Sequence, residues 1–222
     1  MSESISAVEH GDAPETEGRT IRLWARYYDL FTNIISLGRG KEIHRRVVKA
    51  AKLSPGEAVL DVGCGTGTLG LMLEEAVGAS GRVEGIDASP EMIVEAQKKA
   101  AKSGSGVGFR VALIEEVPFE DDTFDFVAST FMFHHLPDGV KRAGLSEIRR
   151  VLKPDGRFLL VDFSGDSNSL VGHLLSILGH SHGGGDGDEE LISMIEAAGF
   201  AAVRRLRSKG AEAAIMATGV SA

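Results

Sequence analysis

Residues 59–70 read Val-Leu-Asp-Val-Gly-Cys-Gly-Thr-Gly-Thr-Leu-Gly: an apolar run closing on an acid, three glycines at alternate positions, then a helix-like apolar segment. This order predicts a buried strand, a tight turn and the start of a helix. Alternating glycines let the backbone turn sharply and come close to a ligand, because no Cβ stands in the way. The helix that follows points unpaired N–H groups and the positive end of its dipole into the same space.

Gly65-Thr66-Gly67-Thr68-Leu69-Gly70 satisfies the G-x-G-x-x-G spacing of dinucleotide sites, where a pyrophosphate rests on the helix N-terminus. Asp61 works against that ligand. A carboxylate at the strand end, two residues before Gly63, repels a pyrophosphate and welcomes an ammonium group. A structural turn with no ligand is the third reading. Asp87 closes the next strand 20 residues beyond Gly67, where a carboxylate can accept from two ribose hydroxyls. Its competing role, a helix N-cap, suits Ser89 better because Pro90 then takes the first helical position.

The chain of 222 residues is long enough for one α/β domain with a full core. Its formal charge of −8 is concentrated in residues 1–18, which hold five acids and no Lys or Arg; from Arg19 onward 24 basic residues face 27 acidic ones. That balance argues against DNA or RNA as partner and fits a small neutral or cationic molecule. The single cysteine, Cys64, excludes an internal disulfide and a multi-thiolate zinc site. Flanked by Gly63 and Gly65, it is expected to pack beneath the loop rather than act as a nucleophile. The acidic opening does not resemble a signal peptide, and no run of 18 apolar residues spans a bilayer, so a cytoplasmic location is expected.

Residues 1–18 are expected to be a disordered acidic tail. Leu23, Tyr27, Leu30, Ile34 and Leu37 then form the stripe of an amphipathic helix, and a second helix is predicted over Lys41–Lys52. Strands are predicted at Ala58–Asp61, Arg82–Ile86, Phe109–Leu113, Phe126–Thr130 and Arg157–Phe163. Helices lie between them, the last stopped by Lys153-Pro154-Asp155-Gly156. Asp188–Ala198 is the final helix, and Ala201–Leu206 with Ala211–Thr218 form an antiparallel strand pair. Strands alternating with helices mean a mainly parallel sheet, with ligands outside its carboxyl ends. Asp61, Asp87, Leu113 and Thr130 all fall at or near such ends.

Asp61-x-Gly63-x-Gly65-x-Gly67 resembles the first motif of class I S-adenosylmethionine (SAM) methyltransferases. The span from Tyr27 to Thr218 is most similar to the branch containing the ubiquinone/menaquinone biosynthesis C-methyltransferases. Tyr28-Asp29, Asn33, Ser36-Leu37-Gly38, and Phe124-Asp125 through Leu152-Lys153-Pro154-x-Gly156-Arg157 carry this likeness. The resemblance implies a Rossmann-like doubly wound α/β fold of seven strands, with an antiparallel final strand and N-terminal lid helices over residues 19–53. Residues 19–222 would form the domain, with 164–187 a variable substrate region. It also implies SAM as cofactor. Thr66, Asp87 and the adjoining Ala88 would contact it, Leu113 and Ile114 would frame the adenine, Thr130 would line the pocket, and Tyr28 (with Trp24 nearby) would close over it, ordinary apolar packing against the domain being the alternative for these two aromatics.

Three departures stand out. Leu113 occupies a position where the family often has Asp or Asn, so Glu115, Glu116 or the backbone is left to meet the adenine amino group. His134-His135 replaces arginine-asparagine of the quinone enzymes, and their longer tyrosine- and serine-rich C-terminal region is missing. Either histidine could serve as a base or hydrogen-bond the acceptor; the plainer alternative is capping or packing the following helix. His173, His180 and His182 lack a fixed ligand spacing, so no metal is expected. The Leu170–Leu178 stripe could cover a lipophilic substrate, touch a membrane surface, pack in the core or form a dimer contact. Methylation of a small, lipophilic or aromatic acceptor by a monomer or homodimer is therefore expected. A phospholipid or amine N-methyltransferase and a non-catalytic SAM-binding protein are the alternatives.

Overall fold

The computed structural model describes residues 40–163, 187–206 and 212–219. The predicted lid helix bearing Trp24 and Tyr28, the acidic tail, the Leu170–Leu178 stripe and His173, His180 and His182 lie outside them. The described apolar runs assemble into one seven-stranded sheet: β1 (Ala58–Val62), β2 (Arg82–Asp87), β3 (Gly108–Val111), β4 (Phe124–Thr130), β5 (Leu152–Phe163), β6 (Ala201–Leu206) and β7 (Glu212–Thr218). Their spatial order is β3-β2-β1-β4-β5-β7-β6. The first five are parallel to one another, and β7 runs antiparallel to both β5 and β6.

Adjacent residues of each central strand go to opposite faces, so a run apolar at every position serves a sheet covered on both sides. Val59, Phe126, Leu159 and Val161 meet α1 (Gly40–Ala51), α2 (Thr68–Val77) and α3 (Pro90–Ser103). Leu60, Val127, Phe158 and Leu160 meet α4 (Asp138–Val151) and α5 (Gly187–Ala197). The seven-stranded Rossmann-like architecture expected from the sequence is the one observed. Among the described residues, no helix is long and apolar enough to cross a membrane.

Most predicted boundaries fall within two residues of those observed. Ser89 caps α3 through Met92 N–H (3.3 Å), with Pro90 in the first turn. Two segments differ. Lys153–Gly156, read as a turn between helix and strand, instead belongs to β5 as an irregular stretch: pairing passes from Phe124–Leu152 to Phe126–Arg157. Lys153 Nζ donates to Asp125 Oδ1 (2.7 Å) and Gly219 N–H to Gly156 O (2.9 Å), and these tie the stretch down. The third strand ends at Val111, so Leu113 sits in the turn beyond it, where its carbonyl accepts from Glu116 N–H.

Below the glycine loop, Phe109 of β3 pairs with Gly85 of β2, and its ring closes against that glycine. A Cβ at Gly85 would come within 2.6 Å of the ring, as would one at Gly67. The ring thus packs sheet, loop and α2 together in space that glycine leaves open. Gly85→Ala is expected to destabilise by about 1–3 kcal/mol through overpacking. In a Phe109→Ala background the same change should cost much less, since of the closest approaches only the 3.1 Å one to Cys64 Cβ remains. Urea denaturation of the four proteins checks this, and equal costs in both backgrounds would refute it.

Candidate functional site

The loop after β1 is held against the end of β2. Gly63 and Cys64 both donate their N–H to Ile86 O (2.9 Å each), and Gly65 N–H donates to Asp87 Oδ2 (2.9 Å). Gly63, Gly65 and Gly67 adopt φ of 73°, 52° and 78°, a region that side chains disfavour. Gly67 ends the loop as the N-cap of α2 and offers no side-chain acceptor to its first N–H groups.

Asp61, one residue from the end of β1, has no exposed surface, and among the described residues neither of its carboxylate oxygens has a hydrogen-bond partner of good geometry. Burial, then the nearby Asp87 carboxylate, pushes its pKa up to about 7; the Gly70 N–H offsets this only in part. Asp87 is better served. Its two oxygens accept from Ser89 N–H (2.9 Å) and Gly65 N–H, which temper the upward push of burial. Ala88, which follows it, is half-buried. Two desolvated acids therefore flank a glycine loop at a helix N-terminus, an arrangement that favours a ligand carrying positive charge.

The other expected contacts divide. Thr66 is buried, and its hydroxyl accepts from Lys99 Nζ of α3 (2.7 Å), which also reaches Thr68 Oγ1 (3.1 Å). The Thr66 side chain thus engages α3. Leu113 is half-buried at the rim, but the Ile114 side chain packs into the core against Gly144 of α4. Thr130 ends β4 half-buried. Burial, followed by Asp61 and Asp87, raises the Cys64 thiol pKa, in keeping with a packing role.

Beyond Thr130, Phe131 turns the chain with φ 56° and donates its N–H to Val161 O (2.8 Å). Met132 then lies across Gly63, where an added Cβ would meet it at 2.7 Å. His134 and His135 follow in a short 3₁₀ helix, Phe133–His135, with ring centroids 3.8 Å apart. Pro137, not a histidine, is the N-cap of α4. His134 meets Asp162 near the end of β5 twice: its backbone N–H donates to Oδ2 (2.9 Å), and its ring Nδ1 lies 2.6 Å from Oδ1. Sequence reasoning missed Asp162, Lys99 and Met132. Asp162 had a signal: it is an acid ending an apolar strand, as Asp61 and Asp87 are.

Residues 59–156 match the family model described as a methyltransferase domain. The chain is 37% identical over 149 residues to the ubiquinone/menaquinone biosynthesis C-methyltransferase UbiE of Geotalea daltonii, covering 66% of this chain and 63% of that protein. It is 38% identical over 140 residues to a Staphylococcus aureus demethylmenaquinone methyltransferase, covering 63% and 57%. The chain thus spans slightly less than two thirds of these relatives. Its fold is similar to the crystal structure of a SAM-dependent methyltransferase from Aquifex aeolicus, with TM-score 0.67, 27% identity, and coverage of 80% of this chain and 89% of that one.

The electrostatics of Asp61 carry a stability consequence. Between its ordinary value of 3.8 and about 7, the folded protein keeps a proton that the unfolded chain has released. The folded state therefore loses stability as pH rises through that window, by at most on the order of 4 kcal/mol. Asp61→Asn removes this dependence. Its melting temperature relative to wild type should climb between pH 4 and pH 7 and level off above, and melting curves that stay parallel across this range would refute the assignment.

Proposed function

From a chain that carries a methyltransferase domain in a Rossmann-like fold, we propose a SAM-dependent methyltransferase acting on a small, lipophilic or aromatic, quinone-like acceptor. The observation that carries this reading is the buried, unpartnered Asp61 beside Asp87 under the glycine loop. An orphaned carboxylate in that place fits a ligand with an ammonium group on its amino-acid end and a sulfonium close by. When bound, SAM supplies a methyl group whose bonding electrons remain on sulfur, so the acceptor must bring the electron pair for the new bond.

This chain's residues divide the work of holding it. Asp61 and the backbone of Gly63, Gly65, Thr66 and Gly67 would hold the amino-acid end. Asp87 would take the ribose hydroxyls in place of one of its present N–H donors. Ala88, Leu113 and the Ile114 backbone would border the adenine, and Thr130 would face the reacting end. Tyr28 would add to the cover. A quinone-like acceptor is favoured over an amine by the 37–38% identity to quinone-pathway methyltransferases.

Isothermal titration with S-adenosylhomocysteine tests the cofactor reading. Wild type should bind in the micromolar range, Asp87→Ala at least tenfold more weakly, and NADH should give no heat. Binding of NADH but not S-adenosylhomocysteine would overturn the reading.

A further inference from the structure

Asp162 is the third acid at the carboxyl edge of the sheet, and unlike Asp61 it has hydrogen-bond partners, two of them on His134. Only 5% of it is exposed, in a strand otherwise filled by Leu159, Leu160 and Val161. Burying a carboxylate there is costly unless strong hydrogen bonds compensate. Each of its oxygens meets His134, one at the backbone N–H and one at ring Nδ1. The first bond fixes where the residue sits, and the second fixes how the ring is turned. An ionised carboxylate only accepts, so a 2.6 Å approach requires the proton to be on Nδ1. In the neutral ring the lone pair is then on Nε2, pointing away from Asp162.

The location bears on the reaction. His134 lies two residues past Met132, whose side chain rests on Gly63 of the loop, and the ring keeps part of its surface open (side-chain exposure 20%). Capping α4, one of the two plainer roles for the histidine, belongs to Pro137, while packing against that helix is the role the test must separate from the base. We propose that Asp162 is a positioning residue that holds His134 as general base toward an acceptor that loses a proton on methylation. This rests on the methyltransferase reading above.

The balance closes without another reactant. The electron pair of the acceptor's O–H or C–H site forms the bond to the methyl carbon, while the sulfur–carbon pair stays on sulfur. The acceptor's proton goes to Nε2 of His134. Positive charge that entered on the sulfonium is left on an imidazolium beside the Asp162 carboxylate, and later passes to water. Asp162 thus stabilises the ring in the state it reaches after proton transfer.

The test begins with the protein free of cofactor. Nitrogen-15 NMR of the histidine rings, assigned with His134→Asn, should show His134 protonated at Nδ1. In Asp162→Asn, the amide oxygen is claimed by the His134 backbone N–H and the amide NH2 faces Nδ1. The proton should therefore move to Nε2, turning the base into a donor. Turnover is then followed with SAM and 1,4-naphthohydroquinone kept reduced by dithiothreitol. Asp162→Asn should lower kcat by about 10²–10⁴-fold with KM and S-adenosylhomocysteine affinity unchanged.

A wild-type ring protonated at Nε2, an unmoved proton in Asp162→Asn, or an unchanged kcat overturns the positioning role. Should Asp162→Asn not fold, the wild-type protonation pattern and the kcat of folded His134→Asn decide the matter on the same terms. A wild type that binds S-adenosylhomocysteine yet leaves the hydroquinone unmethylated overturns the quinone-like acceptor of the function proposed above. Failure to bind S-adenosylhomocysteine at all sinks the methyltransferase reading instead, whatever the NMR shows.

Discussion

Three consecutive backbone N–H groups, those of Gly63, Cys64 and Gly65, are captured by the end of β2, two by the Ile86 carbonyl and one by the Asp87 carboxylate. These bonds fix the path by which the chain leaves β1 and enters α2, and so fix where the N-terminus of α2 points. Phe109 sets the same loop from below by filling the space over Gly85 and beneath Gly67. The loop is thus shaped by backbone bonds above and one aromatic ring beneath. Such preorganisation is what lets a short turn present N–H groups in a constant geometry.

That geometry brings two carboxylates close together in a desolvated place, and only one of them is compensated. Asp87 gains N–H donors from Gly65 and Ser89; Asp61 keeps two unpartnered oxygens and a pKa near 7. A side chain that weakens the fold at neutral pH has no packing rationale. It makes sense as the counter-charge to something that arrives later, the usual exchange of stability for function at a site.

The parts legible in the sequence are those encoded within a few residues of one another. The strand–turn–helix unit, the acid closing β2 and the Ser89-Pro90 helix start each carry their signal locally, and each appears where the pattern put it. The His134–Asp162 contact joins residues 28 apart, and Lys99–Thr66 residues 33 apart. Nothing near Thr66 in the chain says that a lysine of the next helix will occupy its hydroxyl. Phe109 reads as one more apolar strand residue, since its partners Gly67 and Gly85 are revealed only by strand pairing. Lys153-Pro154-Asp155-Gly156 carries strong turn residues, yet pairing of the flanking segments with β4 and the Lys153–Asp125 contact draw it into β5. Local preference there yields to the sheet.

The place of β7 has a consequence for the order in which the molecule can be completed. β6 is made before β7, but its one neighbour in the sheet is β7, which separates it from β5. The pairings among β1 to β4 can close as the chain lengthens, whereas Asp162 faces Ala213 across the sheet and must wait for residues synthesised some fifty positions later. Long-range pairings of this kind carry the greatest loop-closure cost and form slowly. The half of the sheet holding the glycine loop is thus the early half on a ribosome, and the half anchoring His134 is the late one. A nascent or truncated chain would acquire the first long before the second.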